Sequence, residues 1–204
     1  MKTAGIYGFY PVVDDVRWLR RFLPLGVRTI QLRIKERSEA EIRRQIREAL
    51  AVAADYDDCQ MIINDHWREA IREGATWLHL GQEDLADADQ MAIAAAGIKL
   101  GISTHSSSEL AQALEARPAY VALGPIYETT LKKMSWAPQG LERLSGWKSR
   151  CVVPLVAIGG ISLERAPAVL AAGADSIAVV SDVLHAPDPD ERVRVWLDLF
   201  RERP

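Results

Sequence analysis

Gln31-Leu32-Arg33-Ile34-Lys35 sets an amide and two cations at alternate positions of a strand-like run. Alternation puts Gln31, Arg33 and Lys35 on one side of an extended chain and Leu32 and Ile34 on the other. Two cations and an amide on the inward side of a buried strand are costly without a partner, which favours a functional role over an irregular, solvated strand edge. Asp65, in Ile63-Asn64-Asp65-His66, and Asp84, in Leu80-Gly81-Gln82-Glu83-Asp84, follow two successive apolar runs. Such a pair suits a hard cation such as Mg²⁺, which takes one or two carboxylates plus water and phosphate oxygens. Spacing equally allows both acids to cap the helices that follow. Ser103, in Gly101-Ile102-Ser103-Thr104-His105, stands either as a donor to an anion or as another cap. Ile158-Gly159-Gly160-Ile161 and Val179-Val180-Ser181 combine glycine backbone, which a ligand can approach closely, with helix-start N–H groups that suit a phosphate. A phosphorylated small molecule is the expected ligand.

Other chemistries find less support. His66, His79, His105 and His185 show no zinc-type spacing, and there is no Gly-x-Ser-x-Gly elbow. His79 lies inside a strand-like run and reads as a hydrogen-bonded structural residue. The formal charge of −3 and the scattered tryptophans argue against nucleic-acid binding.

The elements that must carry these residues alternate. Strand-like runs occur at Ile6–Val13, Thr29–Ile34, Gln60–Ile63, Thr76–Leu80, Lys99–Ile102, Tyr120–Leu123, Val152–Ile158 and Ser176–Val180, with helix-periodic segments between them. Ser38-Glu39-Ala40-Glu41 and Ser106-Ser107-Ser108-Glu109 read as capping boxes, the serine bonding forward and the glutamate back. Gly26, Gly74, Gly97 and Gly173 stand where left-handed residues close helices, and Pro167 predicts a late start or a bend in the seventh helical stretch. Eight strand-then-helix units predict an α/β fold, a single (β/α)₈ TIM barrel over residues 1–204, with its chemistry at the C-terminal ends of the strands. An open doubly wound sheet is the competing topology, weakened by the missing Gly-x-Gly-x-x-Gly after the first strand.

Hydrophobic content of 49% and charged content of 26% are ordinary for a soluble globular protein. Without a recognisable signal peptide or membrane-spanning run, and with only Cys59 and Cys151, a reducing cytoplasm is the expected compartment. Neither a membrane nor a nucleic acid is expected as a partner; self-association into a homo-oligomer stays open.

Taken together, Gln-Leu-Arg-Ile-Lys at 31–35, Asn64-Asp65, His-Leu-Gly-Gln-Glu-Asp at 79–84, Gly-x-Ser-x-His at 101–105, Gly-Pro-Ile-Tyr at 124–127, Gln139-Gly140, Gly159-Gly160-Ile161 and Val180-Ser181 resemble the thiamine-phosphate synthase family, in its order and over nearly the whole chain. The resemblance implies a Mg²⁺-dependent barrel that joins an aminopyrimidine methyl pyrophosphate to a thiazole phosphate, through a pyrimidine-methyl cation, releasing pyrophosphate. It further implies that Gln31, Leu32, Arg33, Ile34, Lys35, Asn64, Ser103 and Lys132 hold the pyrimidine and its pyrophosphate. Arg33, Lys35, Ser103 and Lys132 would act in catalysis and Asp65 and Asp84 would bind Mg²⁺. Thr129, Thr130, Leu131, Gly160, Val180 and Ser181 would receive the thiazole phosphate, partly through backbone N–H groups.

One departure stands out. The family usually carries Thr-x-Thr-Lys in the loop after the sixth strand, whereas this chain has Thr129-Thr130-Leu131-Lys132. Losing one hydrogen bond to a charged group costs roughly 1.5–3 kcal/mol, so weaker thiazole-phosphate binding is expected. The rivals are a thiazole tautomerase-like barrel, which typically has a histidine where Pro125 stands here, a non-catalytic thiazole-phosphate-binding barrel, and a generic sugar-phosphate isomerase, which leaves Gln31, Arg33, Asp65 and Asp84 without a shared purpose.

Overall fold

The computed structural model describes residue 6, residues 8–129 and residues 136–201. Its strands are β1 (Gly8–Val13), β2 (Thr29–Leu32), β3 (Gln60–Asn64), β4 (Trp77–Leu80), β5 (Lys99–Thr104), β6 (Tyr120–Leu123), β7 (Leu155–Ile158) and β8 (Ser176–Val179). They close in sequence order into a parallel barrel, with Gly8 of β1 registered on Ser176 of β8. Among the described residues the helices are α1 (Arg17–Phe22), α2 (Glu39–Ala53), α3 (Trp67–Arg72), α4 (Gln82–Asp87), α5 (Gln90–Ala95), α6 (Ser107–Glu115), α7 (Gly140–Lys148), α8 (Ala166–Ala171), α9 (Ser181–Leu184) and α10 (Pro189–Arg201).

Parallel strands covered on both faces read as continuous apolar runs, and alternation decides which side chain goes inward. Tyr10, Val12, Ile62, Trp77, Tyr120, Ala122, Val156 and Ala178 form the inner core. Their neighbours Phe9, Val13, Ile63, Leu78, Val121, Leu155, Ala157 and Ile177 face the helices in a separate, larger cluster. Gln31, Asn64, His79 and Ser103 fall in the inward phase near the ends of their strands. That phase carries their polar groups toward the C-terminal mouth.

Boundaries differ from the sequence expectations for local reasons. β7 begins at Leu155 rather than Val152, because Val152 is 93% exposed and Pro154 has no N–H to give a ladder. β5 continues through Ser103 and Thr104, which register on Ala122 and Leu123 of β6. β2 stops at Leu32, although the Arg33 N–H still reaches Val13 O at 2.7 Å. α8 starts at Ala166 with Pro167 in its first turn, the late start that proline favours. Gly26, Gly74, Gly97 and Gly173 all have positive φ, as expected of left-handed closures.

The two serine caps form, with Ser38 accepting from the Glu41 N–H and Ser106 from that of Glu109. The glutamates do not bond back in either box. Glu41 pairs with Arg44 and Gln45, and Glu109 accepts from the N–H and ring of His105 at 2.6 and 2.9 Å.

Candidate functional site

β2, β3 and β4 deliver a charged cluster to one sector of the mouth. Lys35 is ion-paired with Asp65, and the Asp65 carboxyl is in hydrogen-bond contact with that of Asp84. Burial works against ionisation of Asp65, but the hydrogen bond and charge of Lys35, helped by Asp84, outweigh it and hold this carboxyl below the usual range. Burial, then the charge of Asp65 and the contact with it, pushes Asp84 up. Two carboxyl groups in contact cannot both ionise freely, so a proton or a cation must mediate between them. Neither caps a helix: α3 and α4 start at His66 and Gly81 without a side-chain cap bond. Asp65 has φ 62, a left-handed conformation held by its N–H on His79 O at 3.0 Å. Such strain in a non-glycine residue costs of order 1 kcal/mol, and the carboxylate so placed meets Lys35 and Asp84.

Asn64 is 5% exposed, and its side-chain Nδ2 has no hydrogen-bond partner. A buried unpaired amide costs about 1–3 kcal/mol unless a ligand accepts from it. Arg33, at the end of β2, is partly buried, and among the described residues no carboxylate pairs with it. Leu32 and Ile34 are fully buried in the outer core, so their side chains face away from the mouth and only their backbone is left for a ligand.

Deeper in the barrel, Ser103 is not a helix cap; its Oγ lies 2.8 Å from His79 Nε2. His79 Nδ1 is 2.9 Å from the hydroxyl of Tyr120, which is 2.9 Å from that of Tyr10, which in turn receives Gln31 Nε2 at 2.5 Å. Burial lowers the His79 pKa to about 4 against the opposing charge of Asp65, so its ring is neutral at pH 7. The folded state therefore binds no proton at His79 over a range where the unfolded chain, near 6.5, does. The contribution of His79 to stability is expected to be constant above about pH 6.5 and to fall by about 3 kcal/mol toward pH 4. Urea midpoints measured across that range check the slope, which His79→Gln should remove.

The loop after β6 is anchored at both feet. Ile126 and Tyr127 donate to Ile158 O and Gly159 O at 2.9 and 3.0 Å, and Gln139 and Gly140 donate to Pro125 O and Ile126 O at 2.7 and 3.1 Å. Trp136 stacks on His105 of the β5 exit, with ring centroids 5.7 Å apart and planes at 4°. Thr129 is partly buried at the descending foot. Thr130, Leu131 and Lys132 lie outside the described residues. Val180 and Ser181, partly buried, lead from β8 into α9.

The glycines at 159 and 160 answer a packing constraint. A Cβ on Gly159 would lie 2.6 Å from Pro125 Cα, and one on Gly160, whose φ is 65°, would strike Glu128 O and Tyr127. Backbone of the neighbouring loop fills that space. Gly160→Ala is expected to cost about 2–3 kcal/mol through its positive φ and this collision. Gly146→Ala, in α7 with open space around it, should instead stabilise by up to about 1 kcal/mol. Urea unfolding of the pair reads the opposite signs.

Tyr10, and the packing of Tyr120 against Gly101, escaped the sequence reading. The available signal was a tyrosine in the inward phase of β6 beside a glycine in the inward phase of β5, registered on each other.

A closed (β/α)₈ barrel with its polar side chains gathered at the C-terminal mouth belongs to the class of barrel enzymes. Residues 9–183 match the family model described as thiamine monophosphate synthase. The chain is 58% identical over 190 residues to the thiamine-phosphate synthase of Rhizobium etli, covering 93% of each protein. It is 52% identical over 182 residues to that of Salmonella choleraesuis, covering 89% of this chain and 86% of the other. The solved thiamine phosphate pyrophosphorylase of Pyrococcus furiosus superposes with a TM-score of 0.86 at 27% identity, over 96% of both chains. The chain belongs to the thiamine monophosphate synthase family and is a transferase of thiamine biosynthesis. Among the described residues no helix is long and apolar enough to cross a membrane.

Proposed function

We propose that this chain joins 4-amino-2-methyl-5-(diphosphooxymethyl)pyrimidine to 4-methyl-5-(2-phosphooxyethyl)thiazole, giving thiamine phosphate and pyrophosphate with the help of Mg²⁺. The observation that carries the reading is the Asp65–Asp84 contact beside Lys35. Two carboxyl groups that repel each other unless a positive charge lies between them suit a hard cation, and two oxygen donors leave its other positions to water and pyrophosphate oxygens. Asp65 and Asp84 would hold that ion. When bound, it supplies Lewis-acid neutralisation of the charge growing on the leaving group.

The remaining work falls to side chains. Gln31 and Ser103 would orient the pyrimidine. Arg33, Lys35 and the unpaired Asn64 amide would meet the pyrophosphate as the methylene C–O bond breaks and both electrons leave with oxygen. Lys132 would join them from the loop after β6. Thr129, Thr130, the backbone at Leu131, Gly160, Val180 and Ser181 would hold the thiazole phosphate, so that the thiazole nitrogen meets the cationic carbon in place of water. Its lone pair needs no deprotonation, so no general base is required at the mouth.

This reading takes residues 1–204 as one barrel domain working in a reducing cytoplasm, where the two free cysteines stay reduced. Incubation of the pure protein with both substrates and Mg²⁺ tests it, with pyrophosphate and thiamine phosphate expected in equal amounts. Consumption or isomerisation of the thiazole phosphate alone would overturn it.

A further inference from the structure

The polar chain across the barrel has a direction. Gln31, His79, Tyr10 and Tyr120 are all buried, so each of their hydrogens needs an acceptor. An amide nitrogen donates and cannot accept, so Gln31 Nε2 gives a hydrogen to the Tyr10 oxygen. Tyr10 then donates to Tyr120, and Tyr120 donates to His79 Nδ1, which leaves Nε2 as the protonated nitrogen facing Ser103 Oγ. Ser103 accepts, and its own hydrogen is left for the mouth. A doubly protonated ring breaks the series. Tyr120 would accept from Nδ1 and donate to Tyr10, whose hydrogen would then have no acceptor.

Packing is built for the same chain. Tyr120 passes beneath His79, ring centroids 5.5 Å apart and planes at 24°, and it reaches there because Gly101 carries no side chain. A Cβ at position 101 would collide with the phenol ring of Tyr120.

We propose that Tyr10, Tyr120 and His79 are positioning residues that form a one-way hydrogen-bond relay between the Gln31 amide and the Ser103 hydroxyl, and that this relay makes the site select an amino-pyrimidine over its deaminated, oxo counterpart. The selection rests on the function proposed above. An amino-pyrimidine edge presents a donor and a ring-nitrogen acceptor, the complement of an amide with Oε1 and one Nε2 hydrogen available. The oxo form presents acceptor and donor in the opposite order. To match it Gln31 must turn over, which places Oε1 against Tyr10 and reverses every bond of the chain, including the tautomer of His79. Discrimination at one amide is thereby shared by five residues on five strands.

The relay is tested first without substrate. A long-range ¹H–¹⁵N spectrum of ¹⁵N-histidine-labelled protein at pH 7, with His79 assigned by its loss in His79→Gln, is expected to show a hydrogen on Nε2 and none on Nδ1. A Nδ1–H tautomer or a doubly protonated ring overturns the relay, and this measurement requires no variant to be active. The second arm compares pyrophosphate release from the amino substrate and its oxo analogue. Tyr10→Phe frees the Gln31 amide to turn and should lower the ratio of the two kcat/KM values roughly tenfold, mostly through KM for the analogue. An unchanged ratio in an active Tyr10→Phe protein overturns the selection. If that variant does not fold, Tyr120→Phe, which breaks the chain one bond further on, is judged by the same ratio. Failure of the parent protein to turn over the amino substrate refutes the proposed function, while the spectrum still decides the relay.

Discussion

Replacing Asp65 and Asp84 together by alanine is expected to lower Mg²⁺-dependent pyrophosphate release by about a thousandfold while the barrel stays folded. The rate falls because the charge that grows on a departing pyrophosphate loses a bridging cation, and Arg33 and Lys35 alone must meet it. Stability should change little because several effects oppose one another. Removing both acids abolishes the burial and, after it, the repulsion by Asp65 that hold Asp84 protonated above its usual range. It also frees Lys35 from its ion pair and places alanine at the left-handed position of Asp65. Lys35 is half exposed, so losing its pair costs at most about 1 kcal/mol, and the left-handed alanine about 1–2 kcal/mol. Turnover as a function of Mg²⁺ concentration, run beside urea unfolding, separates the two readouts. Asp65→Asn with Asp84→Asn keeps a side chain that tolerates the left-handed conformation and should lose the same activity with a smaller stability change. Full activity in either double variant would remove the metal assignment. Mn²⁺ titration gives a reading independent of turnover, with binding lost in both variants.

The barrel was legible because each strand is short, apolar and punctuated, and a parallel closed sheet leaves few other uses for eight such units. Alternation along 31–35 was legible for the same reason: Gln31 goes in and Leu32 and Ile34 go out whatever their neighbours do. What could not be read depends on register between strands. Tyr120 is an ordinary inward residue of β6 until Gly101 of β5 is placed beside it and His79 of β4 beyond that, and single-strand periodicity carries no such information. Likewise Gly159 and Gly160 looked like ligand-facing glycines. The structure gives them a tighter constraint, the backbone of residues 125–128 packed against them, which becomes visible only when the β6 and β7 loops are laid together. The serine caps were local and were found. The return bonds from Glu41 and Glu109 were not formed, because Arg44 and His105 lie within reach and compete for those carboxylates.

Arg33→Met is expected to move stability and activity in opposite directions. Arg33 is partly buried at the end of β2, its backbone N–H is bonded to Val13 O, and among the described residues no carboxylate pairs with its guanidinium. Lys35, two positions on, spends its charge on Asp65. An unpaired, partly desolvated cation destabilises the free protein, and methionine of similar reach removes that penalty, so the variant should unfold at equal or higher urea, by up to about 1 kcal/mol. Turnover should fall by about 10²–10³, because the charge absent from the site is one that a leaving pyrophosphate would need. The loss should appear in kcat and in binding of the pyrimidine pyrophosphate, with binding of the thiazole phosphate unchanged. Arg33→Lys separates charge from shape: a lysine restores the charge but not the planar fork that grips two phosphate oxygens, so partial recovery is expected. If Arg33→Met instead loses stability and activity together, the arginine is a structural residue of the β2 end. The uncompensated charge would then have to be sought in Lys132 and its loop.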